Sequence, residues 1–369
     1  MSLIKAKQIV IKVGSSILLN ENGGVNKTWL KAFAQDIEFL KKQGTKITIV
    51  TSGAVALGRS SIGILDGKLK LEEKQAAAAC GQIKLVEAWR EALAKHDINI
   101  AQILLTIDDS ENRKRYINAR NTLSTLLANN VIPVINENDT VATMELRVGD
   151  NDRLAARVAQ MIGADHLILF SDIDGLYTSN PSKNKNAKFI NKVEEITPEI
   201  EAMAGKSASN IGTGGMVTKI EAAKIAIAAG CNMVIAKGNI LNPLKKLIET
   251  NYGTWFIASS NPSNARKNWI IGSIAPAGVV IVDEGAEAAL KKGKSLLPAG
   301  VKKIQGDFEQ GDCVIIKNDK NEVLGRGLVS YSSEESSLII GQKSHSIEKI
   351  LGFSGRSEII HRDNLVIAV

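Results

Sequence analysis

The sequence predicts an α/β fold, a mostly parallel sheet sandwiched by helices, followed by a small β-rich domain. Short apolar strands alternate with helical periodicities through the first two-thirds of the chain, as in a parallel sheet covered on both faces. Aromatic residues make up only 4% of the chain while Ala, Ile, Val and Gly are plentiful, which suits close packing of helix on sheet. Near Ala258 the pattern changes to a turn-rich stretch and then to glycine-punctuated strand-like pieces. The expected boundaries are an α/β domain over 1–258, a linker over 259–277 and a small domain over 278–369.

Residues 8–13 read as a buried strand that ends in a Gly-Ser turn. Asn26 or Thr28 then caps a helix whose Trp29, Phe33, Ile37 and Leu40 fall on one face. A strand follows at 46–50, a long helical zone at 72–96, a strand at 100–104, a helix within 112–129 and a strand at 131–135. Further strands fit 167–170 and 233–235, with helices within 151–162 and 216–229. In the small domain, strand-like pieces fall at 279–282, 313–317, 338–340 and 365–369.

In such a sheet, ligands gather at the carboxyl ends of the strands. Three polar loops obey that rule, because Ser52-Gly53 follows Val50, Asn136-Glu137-Asn138-Asp139 follows Ile135 and Ser171-Asp172 follows Phe170. Their convergence on one rim is stronger evidence than any one of them. Val148-Gly149-Asp150-Asn151-Asp152 adds a second dense polar segment, in which one residue suffices to cap the next helix. Lys12 lies inside an apolar strand before Gly14-Ser15-Ser16, and Gly212 to Lys219 is a glycine-rich stretch opening onto a helix. Glycine lets amides approach phosphate, and a helix N-terminus favours anions, so the Lys12 segment points to phosphate, while Gly212 to Lys219 reads equally as a phosphate site or as a flexible loop with an incidental helical lysine. The second lacks Walker A spacing, so this is no P-loop enzyme. Asp172 and Asp174 read equally as a turn or as a nucleotide or metal contact. The basic helical face of Arg113, Arg115, Tyr116 and Arg120 reads as solvated or as a subunit contact, and the four histidines stand apart from any nucleophile motif.

The net charge of +7 raises nucleic acid as a partner, but from Gly278 onward 12 Lys and Arg face 13 Asp and Glu. The C-terminal domain is therefore poorly suited to holding a phosphate backbone. Cys80, Cys231 and Cys313 are too far apart in sequence for a zinc pattern and fit a reduced, cytoplasmic protein. No stretch approaches the ~20 apolar residues of a membrane span.

Taken together, Ile11 to Ser16, Val50 to Ala54, Asn136 to Asp139, Val148 to Asp152 and Gly212 to Lys219 resemble the glutamate 5-kinase group of the amino-acid kinase superfamily. Val282 to Ala286, Ser295 to Pro298 and Gly311-Asp312 resemble the PUA domain appended to many bacterial members. The resemblance implies ATP and Mg²⁺ as cofactors, the metal held mainly by nucleotide phosphates, and L-glutamate as acceptor. It implies that Ser52, Asp139 and Asn151 bind glutamate, and that Lys12, Ser171, Asp172, Thr213, Gly214, Gly215, Met216, Val217, Thr218 and Lys219 serve ATP. Lys12, Lys219, Asp150 and Asp152 become the catalytic candidates, the two aspartates orienting lysines or substrate. Inhibition by proline and homo-oligomerisation are further implications. A kinase of acetylglutamate, aspartate or carbamate is the nearest rival, and RNA binding by the PUA-like domain is a remoter one.

Overall fold

The computed structural model describes residues 3–65, 67–141, 151–205, 215–272 and 275–367. The chain divides into two compact units, Met1–Pro262 and Ser263–Val369.

The first unit is built on an eight-stranded sheet. Its strands in chain order are β1 (Gln8–Val13), β2 (Lys46–Thr51), β3 (Ile100–Leu105), β4 (Ile132–Glu137) and β5 (His166–Ser171). A small β6 (Leu176–Tyr177) and β7 (Phe189–Ile190) hairpin follows, then β8 (Lys192–Val193), β9 (Asn232–Lys237) and β10 (Thr254–Phe256). The spatial order is β3-β4-β2-β1-β5-β9-β10-β8, parallel except where β10 runs against β9. From β1 the chain first builds toward β2 and later resumes on the opposite side with β5. That reversal makes the carboxyl end of β1 a topological switch point, where such sheets open a crevice.

Alternate side chains leave opposite faces of a strand, and each face has its own core. Ile9, Ile11 and Val13 of β1 join Phe33, Trp89 and Phe170 under helices Lys27–Lys42 and Leu71–Ala94. Val10 joins Leu154, Val158, Leu169 and Ala223 under helices Asn151–Ile162 and Met216–Ala228. Lys12 shares the parity of Val10. The strand period thus turns its side chain toward the second pair of helices.

One long-range cap ties the first face together. Asn242, at φ 51°, precedes helix Pro243–Thr250 without capping it; its amide instead donates to Asp36 Oδ1 at 3.0 Å. Asp36 Oδ2 then accepts the amides of Leu244 at 3.0 Å and Lys245 at 3.3 Å. Burial pushes the Asp36 carboxyl above its usual pKa, against the pull of those donors. Asp36→Ala is expected to cost about 1–2 kcal/mol, since it strands two helix N-terminal amides. An unchanged urea midpoint would overturn the capping role.

The second unit carries β11 (Gly278–Val282), β12 (Val301–Gly306), β13 (Cys313–Lys317), β14 (Val323–Leu328) and β15 (Leu365–Ile367), in the order β12-β11-β13-β14-β15. One expectation needs correction. Residues 338–340 are not a strand: Leu338 and Ile339 end a helix, Ser333–Ile339, opened by a capping box between Ser332 and Glu335. That S-x-x-E signal was present in the sequence and outweighs three adjacent apolar residues. Within the expected linker, residues Pro262–Gly272 form a helix. Cys80 and Cys231 are free thiols, Cys313 is buried, and among the described residues no helix is long and apolar enough to cross a membrane.

Candidate active site

Asp152 stands at the centre of the site. It lies in the first turn of helix Asn151–Ile162, which packs across β1, β2, β4 and β5, and its side chain is wholly buried. Lys12 Nζ is 2.7 Å from Oδ1, a close ion pair whose alignment falls short of a hydrogen bond's. Lys219 Nζ donates to Oδ2 at 2.9 Å, and the Thr218 hydroxyl is 3.0 Å from the same oxygen. Two lysines from distant segments thereby share one carboxylate.

Burial alone would raise the Asp152 pKa, yet the charges of Lys12 and Lys219 outweigh it and hold the carboxyl below its usual value. A buried charge without such partners would neutralise or disrupt its surroundings. The lysines are themselves only 8% and 4% exposed. Lys12 reaches the site by strand parity, and Lys219 by lying about one turn into helix Met216–Ala228, which packs on the helix bearing Asp152.

Beside this clamp lies a chain of amides. Asn151 Nδ2 is 3.0 Å from the Thr51 carbonyl, 2.7 Å from Ser52 Oγ and 3.2 Å from Asn136 Oδ1. Asn136 Nδ2 in turn donates to Gln82 Oε1 at 2.8 Å. The Thr51 carbonyl accepts only, so the Asn151 nitrogen must face it, which settles the amide's orientation. Gly53, at φ 111°, turns the chain from β2 into helix Ala54–Gly58, a conformation that favours glycine.

Asp139 occupies the turn after β4, on the same rim, and burial raises its carboxyl to a pKa of about 6. Ser171 ends β5, and its hydroxyl donates to Asp172 Oδ1 at 2.9 Å. Asp174 instead accepts the hydroxyls of Tyr177 at 3.0 Å and Tyr252 at 3.1 Å, which gives it a structural task. Gly215, Met216, Val217 and Thr218 form the start of helix Met216–Ala228. Asp150, Thr213 and Gly214 lie outside the described residues. The drawn bonds of Asn151 and Asp152 run to other segments, so neither is spent on capping its own helix. Gln82 gave no signal of function in the sequence, although Gly81 beside it, inside a helix, marks a close backbone approach.

The amino acid kinase family pattern matches residues 7–237, well over half of the chain, and the PUA domain pattern matches 278–351. The chain belongs to the amino acid kinase family. Along nearly its whole length this family member is similar to glutamate 5-kinases. It is 57% identical to that of Paramagnetospirillum magneticum over 99% of this chain and 98% of that protein. It is 56% identical to that of Agrobacterium fabrum over 97% and 92%, and 53% identical to one from Rhodopseudomonas palustris over 98% and 96%. The fold and family expected from the sequence motifs both hold, and this amino acid kinase is an enzyme of the phosphotransferase class.

Proposed function

We propose that the enzyme transfers the γ-phosphoryl group of ATP to the side-chain carboxylate of L-glutamate, giving L-glutamate 5-phosphate and ADP. This is the opening step of proline synthesis, with proline as the feedback inhibitor. The observation that carries the reading is the Lys12–Asp152–Lys219 clamp at the sheet's switch point, beside the Ser52–Asn151 pair.

The acceptor's carboxylate has a reference pKa of about 4.3, so it arrives ionised and needs no general base. One of its oxygens attacks the γ-phosphorus as the bond to the β,γ-bridging oxygen breaks, and that electron pair leaves with ADP. No proton moves. The obstacle is repulsion between anions, and the lysines answer it. An ammonium has three donors, and Lys12 meets Asp152 at a single oxygen, so others are left for phosphate. Asp152 holds the two lysines in register and accepts no proton.

Asn151 donates to Ser52 Oγ, which leaves the Ser52 proton to be given outward to an anionic substrate. Mg²⁺ is assigned to the nucleotide phosphates, and both Asp152 oxygens face ammonium groups.

Asp139 is assigned to the substrate ammonium. Its pKa of about 6 reflects burial with no compensating cation among the described residues, a role the ammonium would fill. Below that value the free enzyme's Asp139 is protonated, so kcat/KM for glutamate should fall about tenfold per pH unit there. Asp139→Asn should raise the glutamate KM by at least about tenfold at pH ~8 and abolish that acid limb. The sign for stability is opposite. Because the folded pKa exceeds the unfolded one, the group's contribution is present below the ordinary aspartate value of 3.8 and lost as pH rises through about 6. The Asn variant should therefore melt higher than the parent at pH ~8. A normal glutamate saturation curve in the variant would remove this assignment.

The assay of the proposal is ATP- and Mg²⁺-dependent formation of a glutamyl hydroxamate in the presence of hydroxylamine, repeated with added proline. Aspartate, acetylglutamate and carbamate serve as rival acceptors. Faster ADP release with any of these would reassign the substrate.

A further inference from the structure

We propose that Gln82 is a positioning residue for the amino-acid substrate, acting through Asn136 to hold the Asn151–Ser52 pair in place. The inference rests on the glutamate reading above.

The polarity of the amide chain is set at one end only. Asn151 Nδ2 is pinned by the Thr51 carbonyl, so Asn136 must present Oδ1 to it. Asn136 Nδ2 then needs an acceptor, and Gln82 Oε1 supplies it at 2.8 Å. If Gln82 lost that acceptor, the Asn136 amide would gain freedom to rotate. Its nitrogen would then face the nitrogen of Asn151, two donors in opposition. Relief of that clash would draw Asn151 away from Ser52, and the hydroxyl would lose the bond that directs its proton outward.

Two observations argue that Gln82 is held there for this purpose. Gln82 Nε2 and Asn151 Oδ1 are both buried without a hydrogen-bond partner among the described residues. An orphaned buried amide atom is destabilising, so Gln82 is kept here against the desolvation of its own Nε2, alongside the bond it accepts from Asn136. The backbone beneath it is also fixed. A Cβ on Gly81 would lie 1.8 Å from the Ala54 carbonyl oxygen, and one on Gly58 would lie 1.7 Å from that of Ala77. Helix Leu71–Ala94 is thus in direct backbone contact with the helix that follows Ser52, and Gln82 cannot drift from the loop it serves.

The test compares Gln82→Met, which keeps the shape and removes the acceptor, with the parent enzyme. The expected result is a glutamate KM raised about tenfold, with kcat and ATP KM within about twofold of the parent and a melting temperature close to it, since the variant removes one orphaned amide nitrogen, Gln82 Nε2, and leaves another, Asn136 Nδ2. In an Asn136→Ala background, where the intermediary is gone, Gln82→Met should change glutamate affinity by less than about twofold, read from glutamate-dependent thermal shifts if turnover is too low. The proposal is overturned by an unchanged glutamate KM in the single variant, by a lowered melting temperature with all kinetic constants moving together, or by additive effects in the double variant. Hydroxamate formation by the parent is the control. Its absence would remove the glutamate reading itself, whereas an active parent with an indifferent Gln82→Met variant removes only the relay.

Discussion

Lys219→Ala is expected to lower kcat by about a thousandfold, while the glutamate KM changes by less than about threefold. The asymmetry follows from when the charge appears. Negative charge on the transferring phosphoryl oxygens and on the departing ADP grows toward the transition state, so a cation placed there stabilises that state more than the bound substrates. Lys219 is only 4% exposed and 2.9 Å from Asp152, and so is held in place before substrate arrives. Lys12→Ala should behave similarly, because its ammonium meets the other oxygen of the same carboxylate. Arginine is not expected to restore either position, since a planar guanidinium neither fits a packed ammonium site nor presents donors in the same directions. Steady-state kinetics with glutamate varied at saturating ATP, together with melting curves to exclude unfolding, decide the matter. Turnover within tenfold of the parent in both variants would overturn the electrostatic role.

The architecture was legible because burial on both faces leaves a plain mark. Strands such as QIVIKV and HLILFS appear as continuous apolar runs between helical periods. The rim was legible for a related reason: a polar loop directly after such a run falls at the strand's carboxyl end. What residue types and spacing could not do, and only the family resemblance did, was divide the work among adjacent polar residues. Asn151 and Asp152 are neighbours, yet successive helical positions point about 100° apart. One joins Ser52 and the other the two lysines. Gln82 was illegible because its meaning lies in a partner 54 residues away on β4, and a glutamine in an alanine-rich helix has no local mark of that. The short β8 and β10 strands were missed because two or three residues carry no periodicity. Residues 338–340 show the reverse error, in which a brief apolar run was given more weight than the Ser332–Glu335 cap that governs it.

Asp152→Asn should be the most damaging conservative change in the chain. The variant keeps the shape of the side chain and removes the one charge that both Lys12 and Lys219 face at 2.7 and 2.9 Å. Two buried ammonium groups would then confront a neutral amide that offers one acceptor where there were two. Breaking a buried ion pair by deleting one partner costs about 3–5 kcal/mol, because the survivor stays desolvated. The expectation is a loss of that order in unfolding free energy and a fall in kcat of at least about a hundredfold, as the lysines separate or turn toward solvent. The pH dependence distinguishes this from a base-catalysed scheme. The parent's Asp152 pKa is lowered, so its stabilising contribution is present above the unfolded carboxylate value and is lost only as pH falls through the still lower folded one. At saturating glutamate, kcat should therefore be flat across the neutral range, with no limb belonging to Asp152. A general base would behave differently: its removal would leave folding intact while imposing a steep dependence on hydroxide. A variant of unchanged stability whose turnover recovers at high pH would show that the carboxylate accepts a proton after all.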